Sequence, residues 1–206
     1  MSAGPRPGLR EQAAGQQPAG SPGPVAILIG PPGAGKSTVG VLLAGLLGTG
    51  YTDTDTVVEQ EAGKPVGDIF VQDGEETFRA MERAAVARCV ASHRGVVGLG
   101  GGAVLDRGTR QLLAGQRVVY LQTGFAAAAH RVGLDSPRPL LAINPRARLR
   151  ELLEQRLPVY EALAWRTVVT DDREPPDIAA ELAADPAIRA AAGRTGAGAA
   201  GDGPPP

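Results

Sequence analysis

VAILIGPPGAGKST, residues 25–38, joins an apolar run to a glycine-rich loop that ends in Lys-Ser-Thr. The run 25–29 has the length and composition of a buried strand, and apolar residues then recur from Val39 to Leu46 at the spacing of one helix face. The loop fits the Walker A pattern G-x-x-x-x-G-K-[ST]. A glycine-rich turn with a chance lysine is the alternative, but the motif requires the flanking strand and helix found here. The stretch therefore predicts a phosphate-binding loop.

The end of this loop supplies the predicted contacts to a nucleoside triphosphate. Its backbone N–H groups turn inward around the phosphates, and the positive end of the following helix points at the same place. Lys36 is expected to reach the β- and γ-phosphates, and Ser37 is expected to bind Mg²⁺ through its hydroxyl. The predicted nucleotide-binding residues of the loop are Gly33, Ala34, Gly35, Lys36, Ser37 and Thr38.

Length and composition favour one ordinary globular domain. The chain has 206 residues, 43% hydrophobic residues and a net charge of -1, which gives no electrostatic reason to expect nucleic-acid binding. One cysteine, Cys89, and two separated histidines, His93 and His130, form no recognisable metal cluster. No apolar stretch approaches the length of a membrane span, and the N-terminus lacks the apolar region of a signal peptide. We expect a cytoplasmic protein without membrane contact.

Both ends of the chain predict disorder. Residues 1–24 contain five Gly and five Pro, and Gly, Pro and Ala fill 16 of the 21 positions in 186–206. Such segments bury too little apolar surface to order themselves. The folded domain is therefore predicted over 25–185. Within it, the irregular segment at about 132–144 resembles a mobile lid.

Apolar runs alternate with helical patterns along the domain. This alternation predicts βαβ units, a parallel sheet and ligand contacts at the carboxyl ends of the strands. The predicted strands are 25–29, an extended segment ending at Asp53 and Asp55, 95–99, 117–121 and 167–170. The predicted helices are one after the phosphate loop, then 56–61, 66–70, 75–92, 109–114, 125–131, 146–164 and 178–184.

Asp53 and Asp55 follow the second strand, near the predicted phosphate loop. In an extended chain, positions i and i+2 face the same way. Phosphoryl transfer needs a carboxylate for Mg²⁺ and another that either orients or deprotonates the acceptor hydroxyl. One aspartate for each task is our interpretation. The alternative is helix capping ahead of Val57.

Arg79 and Arg156 lie on predicted helices beside apolar positions. The stripe Leu149, Leu152, Leu153 places Arg156 on the same inward face. A guanidinium pairs bidentately with a carboxylate, so two converging arginines suggest a substrate with a carboxylate group. For Arg79, a helical ion pair with Glu75 or Glu82 accounts for the residue equally well.

Gly100, Gly101 and Gly102 follow the third strand, where the absence of side chains lets a ligand approach the backbone; a simple turn is the alternative. No aspartate ends this strand, which shifts the metal-binding role toward Asp53. In the lid, Arg131 and Arg138 could reach over the phosphates on closure, or could simply be solvated.

The chain resembles shikimate kinase in six segments that occur in the family order: GPPGAGKST, DTD, IFVQDGEETFRAME, GLGGGAV, RPLL and QRLPVY. The resemblance implies a five-stranded parallel sheet in the order 2-3-1-4-5 with helices on both faces and a small lid. It implies ATP-dependent phosphorylation of the 3-hydroxyl of shikimate, with ATP and Mg²⁺ as cofactors.

Residue roles implied by the resemblance cover both halves of the site. The catalytic group is Asp55, Lys36 and Arg138. Mg²⁺ is held by Ser37 and, through water, by Asp53. The substrate-binding residues are Asp55, Phe70, Phe78, Arg79, Glu82, Gly100, Gly101, Gly102 and Arg156. Further nucleotide contacts come from Arg131, Arg138 and Arg173.

Two other functions stay open from the sequence. A sugar-acid kinase of the gluconate type also has a phosphate loop and an anionic polyol substrate, but it would not need this set of Asp, Arg and Gly segments. A nucleotide-dependent switch would need a guanine-reading Asn-Lys-x-Asp segment, which the sequence lacks. The expected partners are the small molecules shikimate and ATP, without nucleic acid, and the expected oligomeric state is a monomer.

Overall fold

The computed structural model describes residues 23–133 and 144–196, with side chains up to residue 194. Its five strands form one parallel sheet in the order β2-β3-β1-β4-β5, which confirms the predicted order 2-3-1-4-5. The strands are β1 Ala26–Ile29, β2 Tyr51–Asp53, β3 Val96–Gly98, β4 Val118–Gln122 and β5 Arg166–Val169.

Helices connect the strands and cover both faces of the sheet. They are α1 Lys36–Leu46, α2 Thr54–Ala62, α3 Val66–Gln72, α4 Gly74–Ser92, α5 Arg107–Leu113, α6 Phe125–Arg131, α7 Pro145–Leu163, α8 Pro175–Ala184 and α9 Pro186–Gly196, with a 3-10 turn at Ala103–Leu105. Every predicted element is present, and each begins and ends within a few residues of its prediction. None of the helices in the described ranges is both long and apolar enough to cross a membrane.

The central strand β1 is buried on both of its faces. Ala26 and Leu28 pack into a core with α1, α8 and α9, whereas Ile27 and Ile29 pack into a second core with α4, α5 and α7. Successive side chains of a strand point to opposite faces, so this apolar run supplies both layers. The phosphate loop therefore leaves the sheet from a central strand whose four residues are all buried.

The predicted disorder of 186–206 is wrong for the part that forms α9. Ile188 is 0% exposed and Ala191 is 3% exposed, and both lie in the core beside Leu182 of α8. The composition argument failed for two reasons. Alanine has the highest helix propensity, and two apolar residues at i, i+3 suffice to anchor a short helix on an existing core. The folded domain extends past its predicted end at 185. Residues 1–22 and 197–206 of the predicted tails lie outside the described residues.

A smaller helical region stands beside the sheet. The side chains of Val58, Ile69, Phe78 and Ala85 form its separate apolar cluster, which joins α2, α3 and the first half of α4. Its packing fixes these helices against the carboxyl ends of β2 and β3. This region carries five of the candidate substrate-binding residues, namely Asp55, Phe70, Phe78, Arg79 and Glu82.

Candidate active site

The phosphate loop closes between β1 and α1. Gly33 has φ 79° and Gly35 has φ 86°, which are left-handed values that a residue with a side chain adopts only with strain. Gly35 is also the N-cap of α1 and has no side chain to occupy the first N–H groups of the helix. These N–H groups, at the positive end of an 11-residue helix, suit an anion.

Lys36 lies within this loop, and its Nζ donates to the carbonyl oxygens of Gly30 at 2.9 Å and Pro31 at 3.1 Å. Burial lowers the pKa of Lys36 to about 8, although the charges of Asp53 and Asp55 act in the opposite direction. A cation that has lost most of its hydration binds phosphate oxygens without a large further desolvation cost.

Asp53 caps a helix, which is the alternative that the sequence offers to metal binding, and it also contacts Ser37. Its Oδ1 accepts from the backbone N–H of Asp55, so it caps α2, and its Oδ2 accepts from Ser37 Oγ at 3.3 Å. The carboxylate thus meets the first turn of α1 and the first turn of α2 together. A hydroxyl and a carboxylate in contact are a donor set of hard oxygen atoms, which magnesium prefers.

Asp55 lies in the first turn of α2. The sequence analysis instead predicted that it ends an extended segment. Its carboxylate packs on Gly100, and its buried Oδ1 meets no hydrogen-bond donor among the described residues. Burial, followed by the negative charge of Asp53, raises the pKa of Asp55 to about 6. A buried acceptor without a donor fits a ligand that supplies a hydroxyl.

The glycine run after β3 is lined by three charged side chains. A β-carbon would lie 2.3 Å from Asp55 Oδ1 at Gly100, 3.4 Å from Arg156 Nη1 at Gly101 and 2.7 Å from Arg79 Nη1 at Gly102. The run is therefore not a plain turn. The missing side chains leave the space that one carboxylate and two guanidinium groups occupy around the same backbone.

Arg79 makes the helical ion pairs that were the alternative to anion binding. Its Nη1 donates to Glu82 at 2.8 Å and its Nη2 donates to Glu75 at 3.3 Å. Glu82 is only 3% exposed, and the guanidinium also lies 5.9 Å from the ring centre of Phe70 and 5.3 Å from that of Phe78. The ion pair thus holds Arg79 in place beside the glycine run, so ion pairing and anion binding are compatible.

Two residues that support the glycine run were missed from the sequence. Tyr160 Oη donates to the carbonyl oxygen of Gly101 at 2.6 Å, and the backbone N–H of Gly100 donates to Thr54 Oγ1 at 3.0 Å. Tyr160 follows Arg156 by one helical turn on the inward stripe, so the spacing contained a signal. Thr54 had no such signal, because no helical stripe in the sequence includes it.

The remaining nucleotide candidates lie on the other side of the phosphate loop. A cavity of about 480 Å³ is bounded by the loop, α1, Arg131, Arg173 and the beginning of α8. Arg131 donates to the hydroxyl and carbonyl oxygens of Thr170 at 3.0 and 2.7 Å and to the carbonyl of Gly33 at 3.3 Å. Arg173 is held by Glu181 at 2.7 Å. Arg138 and most of the predicted lid lie outside the described residues.

Comparison with known proteins agrees with this geometry. A family model described as shikimate kinase matches residues 32–185. A shikimate kinase of Thermobifida fusca is 61% identical over 161 residues, which cover 78% of this chain and 93% of that protein. A shikimate kinase of Salinispora arenicola is 56% identical over 161 residues, which cover 78% of this chain and 96% of that protein.

Solved structures give the same result. A shikimate kinase from Acinetobacter baumannii, solved in complex with shikimate, superposes with a TM-score of 0.70 at 36% identity, covering 77% of this chain and 89% of that chain. One from Aquifex aeolicus has a TM-score of 0.66 at 26% identity, covering 85% of this chain and 99% of that chain. With the family match over most of the chain and this fold and site in agreement, the protein belongs to the shikimate kinase family.

Proposed function

We infer that this chain transfers the γ-phosphoryl group of ATP to the 3-hydroxyl of shikimate, giving shikimate 3-phosphate and ADP in aromatic amino-acid biosynthesis. The main support for this reaction is membership of the family, whose members use ATP with Mg²⁺. One observation ties it to this site: the buried Asp55 Oδ1 has no donor among the described residues and lies beside the glycine run. A substrate hydroxyl is the missing donor.

The phosphate loop supports the nucleotide half of the reaction. The N–H groups of residues 33–38 and Lys36 bind the phosphates, and Arg131 and Arg173 contact the rest of the nucleotide in the adjoining cavity. Arg138 is proposed to cover the phosphates on the strength of the family resemblance alone. Phosphoryl transfer depends mainly on such positioning and charge neutralisation.

Ser37 and Asp53 are the residues that would hold Mg²⁺. The hydroxyl and the carboxylate are 3.3 Å apart at the start of α1, and both present oxygen atoms. When bound, Mg²⁺ neutralises negative charge on the phosphate oxygens.

The substrate half rests on opposite charges around the glycine run. Arg79 and Arg156 bind the shikimate carboxylate, and Glu82 keeps Arg79 in place. Phe70 and Phe78 pack against the shikimate ring. Asp55 orients the 3-hydroxyl and accepts its proton while the oxygen bonds to the γ-phosphorus. The bond from that phosphorus to the bridging oxygen breaks, and ADP leaves. A pKa of about 6 leaves Asp55 ionised and able to accept a proton near neutral pH.

A coupled assay of ADP release tests the substrate assignment. Shikimate, gluconate and a panel of hydroxy acids are compared, and phosphorus NMR identifies the product. We expect turnover with shikimate and none with gluconate. Turnover with gluconate alone would overturn the proposal.

The carboxylate contact is tested with Arg79→Ala. Loss of a hydrogen bond to a charged group costs about 1.5–3 kcal/mol, so KM for shikimate should rise roughly 10- to 100-fold. Arg83→Ala is the matched control, because Arg83 lies one turn along α4, is 47% exposed and pairs with Asp106 at 3.8 Å. An unchanged KM in Arg79→Ala would leave this residue only its ion-pair role.

We further propose that the enzyme acts as a monomer in the cytoplasm, on small molecules and without nucleic-acid or membrane partners. The mass of the enzyme–ADP complex in sedimentation analysis tests it, and a dimer under assay conditions would contradict it.

A further inference from the structure

Tyr51 contacts the carboxylate that is proposed to bind magnesium. It is the first residue of β2 and precedes Asp53 by two positions, so both side chains lie on the same side of the strand. Its hydroxyl donates to Asp53 Oδ2 at 3.0 Å. Neither the motifs nor the family resemblance assigned this residue a role.

Two glycines give Tyr51 its place in the structure. A β-carbon at Gly40 of α1 would lie 2.3 Å from Tyr51 Cε2, and one at Gly98 of β3 would lie 2.3 Å from Tyr51 Oη. The ring therefore fits between α1 and β3 only because both facing positions lack a side chain. Its position is fixed by packing as well as by the hydrogen bond.

Among the described residues, three hydrogen-bond donors reach Asp53, and they divide between its two oxygens. Oδ1 accepts from the N–H of Asp55 at 3.0 Å, while Oδ2 accepts from Tyr51 at 3.0 Å and from Ser37 at 3.3 Å. The Tyr51 bond is the shorter one on Oδ2. It therefore limits rotation of the carboxylate about its own axis and sets the direction in which Oδ2 faces the Ser37 hydroxyl.

We propose that Tyr51 is a positioning residue that holds the Asp53 carboxylate in the orientation required for the metal. This inference depends on the proposed metal site at Ser37 and Asp53. Partners in the outer shell of a metal site orient its ligands, and their loss typically costs about 10- to 100-fold in metal affinity or activity. Tyr51 should therefore affect the metal and leave shikimate binding alone.

Tyr51→Phe tests the proposal, because it keeps the ring between Gly40 and Gly98 and removes only the hydroxyl. Mn²⁺ binding to the enzyme–ADP complex is measured by electron paramagnetic resonance, together with the Mg²⁺ dependence of turnover. We expect Mn²⁺ affinity to fall about 10-fold and half-saturating Mg²⁺ to rise by a similar factor, with KM for shikimate unchanged. Tyr120→Phe is the matched control, because it removes a phenol from β4 in the opposite core layer.

Asp53→Asn separates the possible failures. If Asp53→Asn weakens Mn²⁺ binding and Tyr51→Phe does not, the positioning role is overturned and the metal site stands. If neither variant changes Mn²⁺ affinity, both the positioning role and the metal site are wrong. If Tyr51→Phe raises KM for shikimate as much as it weakens Mn²⁺ binding, the hydroxyl has only a general structural effect, and the proposal is also overturned.

Discussion

Replacing Asp55 with Asn should make the protein more stable while removing its activity. Asp55 is partly buried and ionised at neutral pH, its Oδ1 has no donor among the described residues, and Asp53 adds a like charge beside it. Asn has nearly the same shape and no charge. The substitution therefore removes an electrostatic term that destabilises the folded state but is needed for the reaction.

The size of the expected gain in the free energy of unfolding follows from the pKa of Asp55. Folding raises this pKa from 3.8 to about 6, so the folded state binds more protons than the unfolded state between these values. Stability contributed by this group is complete below pH 3.8 and is lost as pH rises through 6. About two pKa units at about 1.4 kcal/mol each give an upper limit of about 3 kcal/mol, and partial exposure reduces the expected gain to about 1–2 kcal/mol.

Thermal unfolding followed by circular dichroism at two pH values measures this effect. At about pH 8, Asp55→Asn should raise the melting temperature by about 2–8 °C, given about 2–4 °C per kcal/mol for a domain of this size. At about pH 4.5 the gain should shrink to about a third, because the wild-type carboxyl is then largely protonated in the folded state. Turnover should fall by at least about 100-fold with loss of the proton acceptor.

The pH dependence distinguishes an effect of charge from an effect of packing. A gain in stability of equal size at both pH values would point to altered packing and not to charge. A variant no more stable than the wild type at the higher pH would show that the ionised carboxylate carries no cost. Undiminished turnover would remove Asp55 from the reaction.

Two more predictions concern positions where packing decides the outcome. Gly102→Ala should raise KM for shikimate at least about 10-fold and leave KM for ATP unchanged, because a β-carbon 2.7 Å from Arg79 Nη1 displaces the guanidinium; a KM for shikimate equal to that of the wild type would contradict this. Ile188→Ala should lower the free energy of unfolding by about 2–5 kcal/mol without changing either KM, because a fully buried side chain of α9 is truncated. Urea unfolding measures the second effect, and an unchanged midpoint would mean that α9 adds nothing to the core.

The sequence determined the scaffold and the chemical types in the site. The phosphate loop was readable because its glycines, lysine and serine are adjacent in the chain and its flanking strand and helix have clear periodicity. Arg156 was predicted to face inward from the spacing of one helical stripe. These features depend on local geometry, which a short segment encodes by itself.

Only the tertiary structure decided which residues that are distant in the sequence come into contact. Asp55 reaches Gly100 from the first turn of a helix, not from a strand, and Tyr51 reaches its place through Gly40 and Gly98 on two other elements. The order of α9 likewise depends on a core built by α1 and α8, which composition cannot represent. Such contacts join positions far apart in the chain, and their energy exists only after the sheet and its helices have packed. The sequence thus specified the parts of a kinase, and packing specified that the buried Oδ1 of Asp55 has no hydrogen-bond donor among the described residues.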